Sequence, residues 1–192
     1  MATIDHNISS GIVRASKEKE VTLILSGWRR KTGFIEKFLG DKTDIMVDET
    51  SVTVFICHLV RPLNTHRNLI LVCPPLAEHE EGFPIWLSKI GKLASELTIN
   101  IDVFCNVKTI AAIRAFVNKQ KLNANFSFTE FQDWTDFNRI KIFSKPDDIL
   151  LVISARKGTI SYQPSFEQTQ KMLERKFSDL STVLIYPAIR SF

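Results

Sequence analysis

The chain has no apolar run approaching the ~18 residues that a membrane-crossing helix needs, so no segment of it reads as a span. Its start, Met1-Ala2-Thr3-Ile4-Asp5, lacks the charged-then-apolar order of a signal peptide. Cysteine is scarce: Cys57, Cys73 and Cys105 are odd in number, far apart, and each ends an apolar run. They match no metal-ligand spacing and read as buried free thiols in a reducing, cytoplasmic compartment. Tyrosine is scarcer still, two against fourteen phenylalanines, which implies dry packing, because phenylalanine needs no hydrogen-bond partner. No Gly-x-Ser-x-Gly elbow occurs, and no histidine lies near Ser154, Ser161 or Tyr162 in sequence. Nucleophilic catalysis therefore has no apparatus here, and we expect no enzyme activity.

What is present is an α/β pattern. Five apolar runs after residue 65 read as strands: Leu69–Cys73, Ile99–Cys105, Asn125–Phe131, Ile149–Ser154 and Thr182–Tyr186. Three of them are nearly continuous in Leu, Ile and Val, as parallel strands covered on both faces are. Asn125–Phe131 alternates instead and belongs nearer an edge. Helical stripes separate the strands: Phe83, Trp86, Leu87, Ile90, Ala94 and Leu97; Ile110, Ile113 and Val117; Phe137 and Ile140, capped by Thr135; and Phe166, Leu173 and Phe177, opened by a Ser165/Gln168 capping box. Such alternation implies right-handed crossovers onto a parallel sheet, with ligands beyond the carboxyl ends of the strands.

A proline-bearing link, residues 61–67, precedes this unit. Before it, Ile4, Ile8, Ile12 and Ala15 suggest a helix, Val21–Leu25 a strand, Phe34, Ile35, Phe38 and Leu39 a second helix, and Val52–Cys57 a second strand. Two strands cannot readily cover a core alone, so this piece must dock on something. Leu23-Ile24-Leu25-Ser26-Gly27 with the basic turn Arg29-Arg30-Lys31 resembles Leu151-Val152-Ile153-Ser154-Ala155 with Arg156-Lys157-Gly158, at an offset of about 128 residues. That offset is the span of one small α/β domain. Residues 1–60 therefore read as the C-terminal half of a first repeat and residues 68–192 as a complete second one.

The stretches Pro62-Leu63-Asn64-Thr65, Pro74-Pro75-Leu76-Ala77-Glu78, Gly82-Phe83-Pro84-Ile85-Trp86-Leu87, Asp133-Trp134-Thr135-Asp136-Phe137, Pro146-Asp147-Asp148-Ile149, Ser154-Ala155-Arg156-Lys157-Gly158 and Leu184-Ile185-Tyr186-Pro187 carry a family resemblance. Residues 68–192 resemble a universal stress protein domain, most closely the cytoplasmic C-terminal region of bacterial, Bacteroides-type sodium/proton antiporters. The resemblance implies an adenine-nucleotide-hydrolase-like parallel sheet of order 3-2-1-4-5, here extended by the half-repeat. It also implies a membrane transport domain in the same polypeptide as partner, and a location on the cytoplasmic side of the bacterial inner membrane.

Many members of that family bind ATP through a glycine, two residues, a glycine, nine residues, then glycine and Ser/Thr. Glycines let the backbone approach phosphates. Here Gly27 and Gly40 hold the outer positions of the first copy, but Arg30 stands for the middle glycine and Asp41 for the closing Ser/Thr. In the second copy Ser154, Lys157 and Glu167 replace all three glycines. Both motifs are degraded, so ATP or another nucleotide is a candidate ligand rather than an implied cofactor. The candidate anion-binding residues are Gly27, Arg29, Arg30 and Gly40 in one copy and Ser154, Arg156, Lys157 and Gly158 in the other. The net charge of +4 is compatible with an anion or an anionic membrane surface. His79 among Glu78, Glu80 and Glu81 reads as an acidic helix start.

These readings converge on a non-catalytic regulatory or assembly domain of a monovalent cation/proton antiporter. A free-standing universal stress protein binding an adenine nucleotide is the alternative, and a nucleotidyl-transfer enzyme ranks last, its phosphate motifs being absent. Two structural expectations follow. The last strand of the half-repeat, Val52–Cys57, should pair with Thr182–Tyr186 in a seven-stranded sheet. The outer strand Val21–Leu25 should be left exposed, which favours a homodimer.

Overall fold

A computed structural model describes residues 8–27, 45–133 and 136–189. Its centre is one seven-stranded sheet. The strands are β1 (Leu23–Gly27), β2 (Thr53–His58), β3 (Asn68–Val72), β4 (Asn100–Cys105), β5 (Phe126–Glu130), β6 (Asp148–Ile153) and β7 (Ser181–Tyr186), in the spatial order β1-β2-β7-β6-β3-β4-β5. From β3 onward, the sheet follows the expected 3-2-1-4-5 order with every neighbour parallel. β1 and β2 are also parallel, but β2 meets β7 antiparallel, Val54 opposite Tyr186 and His58 opposite Thr182. The pairing of the two terminal strands is the one expected from the sequence.

The strands form where Leu, Ile and Val run together because both faces are covered. All six residues of β6 are buried. One face packs Leu69, Leu71, Ile101, Ile149 and Ile185 under the helices α2 (Phe83–Leu97) and α3 (Val107–Gln120). The other packs Ile70, Leu150, Val152 and Leu184 against α4 (Phe137–Phe143), α5 (Thr169–Lys176), the helical residues 45–49 and the half-buried Ile12 of α1 (Ile8–Glu18). Edge strand β5 has no fully buried residue, in keeping with its alternating sequence.

Several local expectations need correction. β1 starts two residues later than Val21–Leu25 because Val21 is spent closing α1. Its amide donates to Ser16 O and that of Glu20 to Lys17 O, with Glu20 at φ 47°. This is the left-handed helix stop usually given to glycine. The inward face of α1 is Val13 and Ser16, whereas Ala15 is exposed. Ser165 and Gln168 do not form a capping box: Pro164–Gln168 is a 3-10 turn, and α5 begins only at Thr169. Asp136 caps α4, its carboxylate accepting from Arg139 N at 3.4 Å. Thr135 and the expected 34–39 helix lie outside the described residues.

After β7 the chain crosses the sheet edge as a strap. Ala188 O accepts from Gly82 N at 3.1 Å, and Ile189 N donates to Ser51 O at 2.9 Å. Gly82 is needed there for space alone, since a Cβ would sit 2.2 Å from Ala188 N. Gly82→Ala must push the strap away from α2, and overpacking of this kind costs about 2 kcal/mol. Urea unfolding should register that loss, with the denaturant slope unchanged.

Candidate functional site

In a parallel sheet the loops beyond the carboxyl ends gather at one edge, and ligands collect there. For β3 to β7 that edge carries residues 73–82, 154–162 and 187–189. The loop after β3 passes through Leu76 at φ 68° into a 3-10 turn, Ala77–His79. Two of its acidic residues are tied inward. Glu78 accepts from Thr109 Oγ1 at 2.7 Å, and His79 Nε2 lies 3.7 Å from its other oxygen. The buried Glu80 accepts from Ser161 N at 2.9 Å and Ser161 Oγ at 2.5 Å, bolting the loops after β3 and β6 together.

The loop after β6 holds the second set of candidate residues. Ser154 is fully buried, and its amide donates to Ile185 O at 2.7 Å. Its hydroxyl has no hydrogen-bond partner among the described residues. Arg156 is 6% exposed and points into the protein. Its Nε donates to Pro187 O at 3.1 Å, Nη1 to Thr50 O at 2.7 Å and Nη2 to Val52 O at 2.6 Å. One guanidinium thus joins the N-terminal segment, the loop after β6 and the strap. Burial lowers its pKa to about 10, partly offset by the charges of Asp48, Tyr186 and Glu80. Lys157 turns outward, 3.0 Å from Glu167, which also accepts from Tyr162 Oη at 3.0 Å. The hydrogen bond and charge of Glu167 raise the Lys157 pKa, and the hydrogen bonds from Lys157 and Tyr162, with the charge of Lys157, hold the Glu167 carboxyl below its ordinary value. Gly158 has φ 85°, a turn conformation that favours glycine.

A cavity of about 330 Å³ opens here, walled by Val47 and Asp48, by Arg156 and Lys157, and by Tyr162, Glu167 and Tyr186. It draws residues from both halves of the chain. A second hollow of about 370 Å³ lies at the ends of β3 to β5, around Pro75, Leu76 and Val107. Among the described residues no group of His, Cys, Asp or Glu is arranged to hold a metal ion.

Of the first set of candidate residues only Gly27 is described, and it does not come together with the second set. Because β2 and β7 are antiparallel, the carboxyl end of β1 faces the opposite edge of the sheet from residues 154–158. Gly27 ends β1 there, and a Cβ on it would touch nothing. Arg29, Arg30 and Gly40 lie outside the described residues. Sequence reasoning missed the Glu80–Ser161 bolt, whose partners are 81 residues apart. It noted that Lys157 and Glu167 replace glycines of the nucleotide motif, but not that the opposite charges pair. The cysteines are free, with Cys73 and Cys105 buried and Cys57 half-buried. Burial pushes the Cys57 thiol up to about 11.

No family model matches this chain, and no curated protein matches it either. Among solved structures it is similar to a universal stress protein from Archaeoglobus fulgidus, with a TM-score of 0.56 at 11% identity over 94% of this chain. The chain spans 65% of the length of that protein. The likeness establishes the class of fold, an α/β universal-stress-like sheet. Among the described residues no helix is long and apolar enough to cross a membrane.

Arg156→Met would leave three carbonyls without their donor, and we expect a loss of about 3 kcal/mol in urea unfolding. Lys157→Gln, at an exposed pair, should leave the unfolding midpoint unchanged. Equal effects of the two variants would contradict the division between a structural arginine and a free-facing lysine.

Proposed function

We propose that this chain is a non-catalytic regulatory or assembly domain, built as a complete universal-stress-like unit over residues 68–192 joined through the link 61–67 to the latter half of a sibling unit over residues 1–60. The observation that carries this reading is the antiparallel β2–β7 seam, locked at its end by Arg156. β1 and β2 relate to each other as β6 and β7 do, parallel neighbours meeting their counterparts across the seam. A seam of that kind is an assembly device. The carboxyl edge beside it is closed by side-chain pairs (Glu80 with Ser161, Glu167 with Lys157) rather than opened by glycines.

The sequence resemblance supports the finer reading, a cytoplasmic domain that biases a monovalent cation/proton antiporter between two arrangements. The transport domain would be its partner within the same polypeptide. A coding frame without membrane helices upstream of residue 1 would remove that reading. The alternative is a free-standing universal stress protein binding an adenine nucleotide, favoured by the cavity between the two halves of the chain.

Assembly with a second copy is part of the proposal. Among the described residues no strand pairs the outer edge of β1, and Leu25 is 68% exposed on it. Such an edge invites another strand. Light scattering should report a dimer at high concentration, and Leu25→Lys should convert it to monomer without lowering the melting temperature. A wild-type chain that stays monomeric would refute the homodimer.

A further inference from the structure

An amphipathic helix turns its apolar side chains inward, and α4 does so only in part. Phe137 and Ile140 are buried, but Ile142 is 81% exposed and Phe143 51%, with the Phe143 ring centroid 5.6 Å from that of Phe104. Among the described residues no other large apolar side chain is as exposed as Ile142. Cations gather on the same surface. Residues 137–145 hold Arg139, Lys141 and Lys145, and residues 169–179 hold Lys171, Arg175 and Lys176, against two acids, Glu174 and Asp179. That excess of four positive charges equals the net charge of the whole chain, +4, so the rest of the molecule is neutral in sum. α4 and α5 are neighbours: Lys141 Nζ donates to Lys176 O and Lys176 Nζ to Asn138 Oδ1, both at 2.8 Å. Of the acids that flank α4, Asp136 and Asp148 accept from the amides of Arg139 and Lys145, and Asp147 is half-buried.

We propose that this face docks the domain on an anionic lipid bilayer, with Ile142 and Phe143 entering the headgroup layer and the six cations meeting the lipid headgroups. The inference deepens the regulatory reading above and rests on it for the nearness of a membrane. Helix C-termini favour cations, which accounts for Lys141, Arg175 and Lys176 one by one. It does not account for an isoleucine left in water on the neighbouring position. Exposed apolar side chains set among lysine and arginine are the composition of surfaces that lie in a membrane interface. Their long stems pack in the apolar layer while their charges stay with the headgroups. An acidic protein partner would favour a recess for its contacts, whereas Ile142 protrudes.

The position of the patch leaves the rest of the molecule free. α4 and α5 return the chain to the starts of β6 and β7, so their basic C-terminal ends lie toward the opposite edge of the sheet from the Arg156 cavity. β1 is the last strand on one side of the sheet, whereas Phe143 packs on Phe104 of β4, near the other side. Docking through α4 and α5 therefore covers neither the cavity nor the open edge. Attraction of this kind is reversible, because salt screens exposed charges over about 10 Å at 0.1 M. A regulatory domain that moves between two arrangements needs a contact it can release.

The test is co-sedimentation of the full chain with vesicles of phosphatidylglycerol and phosphatidylcholine in equal amounts, and with vesicles of phosphatidylcholine alone. The chain should pellet with the mixed vesicles, not with the neutral ones, and should be released as salt is raised. Lys171→Gln with Arg175→Gln, both exposed, should weaken binding about thirtyfold, and Ile142→Ser about tenfold. Lys92→Gln with Lys119→Gln removes the same charge from α2 and α3 on the other sheet face and should bind as the wild type does. Melting curves verify that each variant is folded. No pelleting with the mixed vesicles would overturn the proposal, as would equal pelleting with neutral ones. Equal losses in the two double variants would also overturn it, since charge alone would then be at work. Retention on polyglutamate without vesicle binding would assign the face to an acidic protein instead. Vesicle binding needs no transport domain, so a coding frame without membrane helices removes the antiporter reading and leaves this result intact.

Discussion

The structure depends on one guanidinium. Arg156 lies beyond the end of the central strand β6, yet its three bonds reach Thr50, Val52 and Pro187. Each bond from a charged donor to a buried carbonyl is worth about 1.5–3 kcal/mol when its loss would leave the acceptor bare. Those bonds tie the N-terminal segment, the loop after β6 and the C-terminal strap together. Without it the strap would still hold its main-chain bonds to Gly82 and Ser51, but Pro187 O would lose its donor. The entry into β2 would then lose its anchor, and β2 is the strand through which the whole N-terminal segment joins the sheet.

From that anchor follows the architecture of the joint. β2 and β7 pair antiparallel along five residues, and the strands outside them, β1 and β6, repeat the same relation. Elements on the same sheet face match as well. Met46 and Val47 enter the same buried cluster as Leu173 and Phe177, and Ile24 the same cluster as Val152. An approximate two-fold axis through the seam accounts for these matches. It also places Gly27, at the carboxyl end of β1, on the far edge of the sheet from residues 154–158. What the seam brings together instead is helix 45–49 and the loop after β6, and the cavity between them is lined by residues of both halves of the chain.

The complete unit was legible in the sequence because buried parallel strands must be apolar throughout, and β3, β6 and β7 are. Edge strand β5 was legible for the converse reason, its alternation of Phe126 and Phe128 with Ser127 and Thr129. Boundaries were less so: nothing in Glu20 or Val21 announces a left-handed helix stop, which usually needs glycine. Ser165 and Gln168 have the spacing of a capping box, but Gln163 O accepts from Phe166 N and the chain turns too tightly for an α-helix to begin. The site was half legible. Arg156 and Lys157 stood out by charge and by their position at a strand end. Their opposite roles did not, because the partners of Arg156 are main-chain oxygens, two of them more than one hundred residues away, and a carbonyl has no sequence signature.

Native-state hydrogen exchange tests the central claim most directly. If Arg156 and the seam join all seven strands into a single cooperative unit, the amides of β2 should exchange only through global unfolding, with the same free energy as those of β6. In Arg156→Met the β2 amides should become markedly less protected while the β6 amides follow only the change in global stability. Fast exchange in β2 of the unaltered protein, well below the protection of β6, would contradict the account.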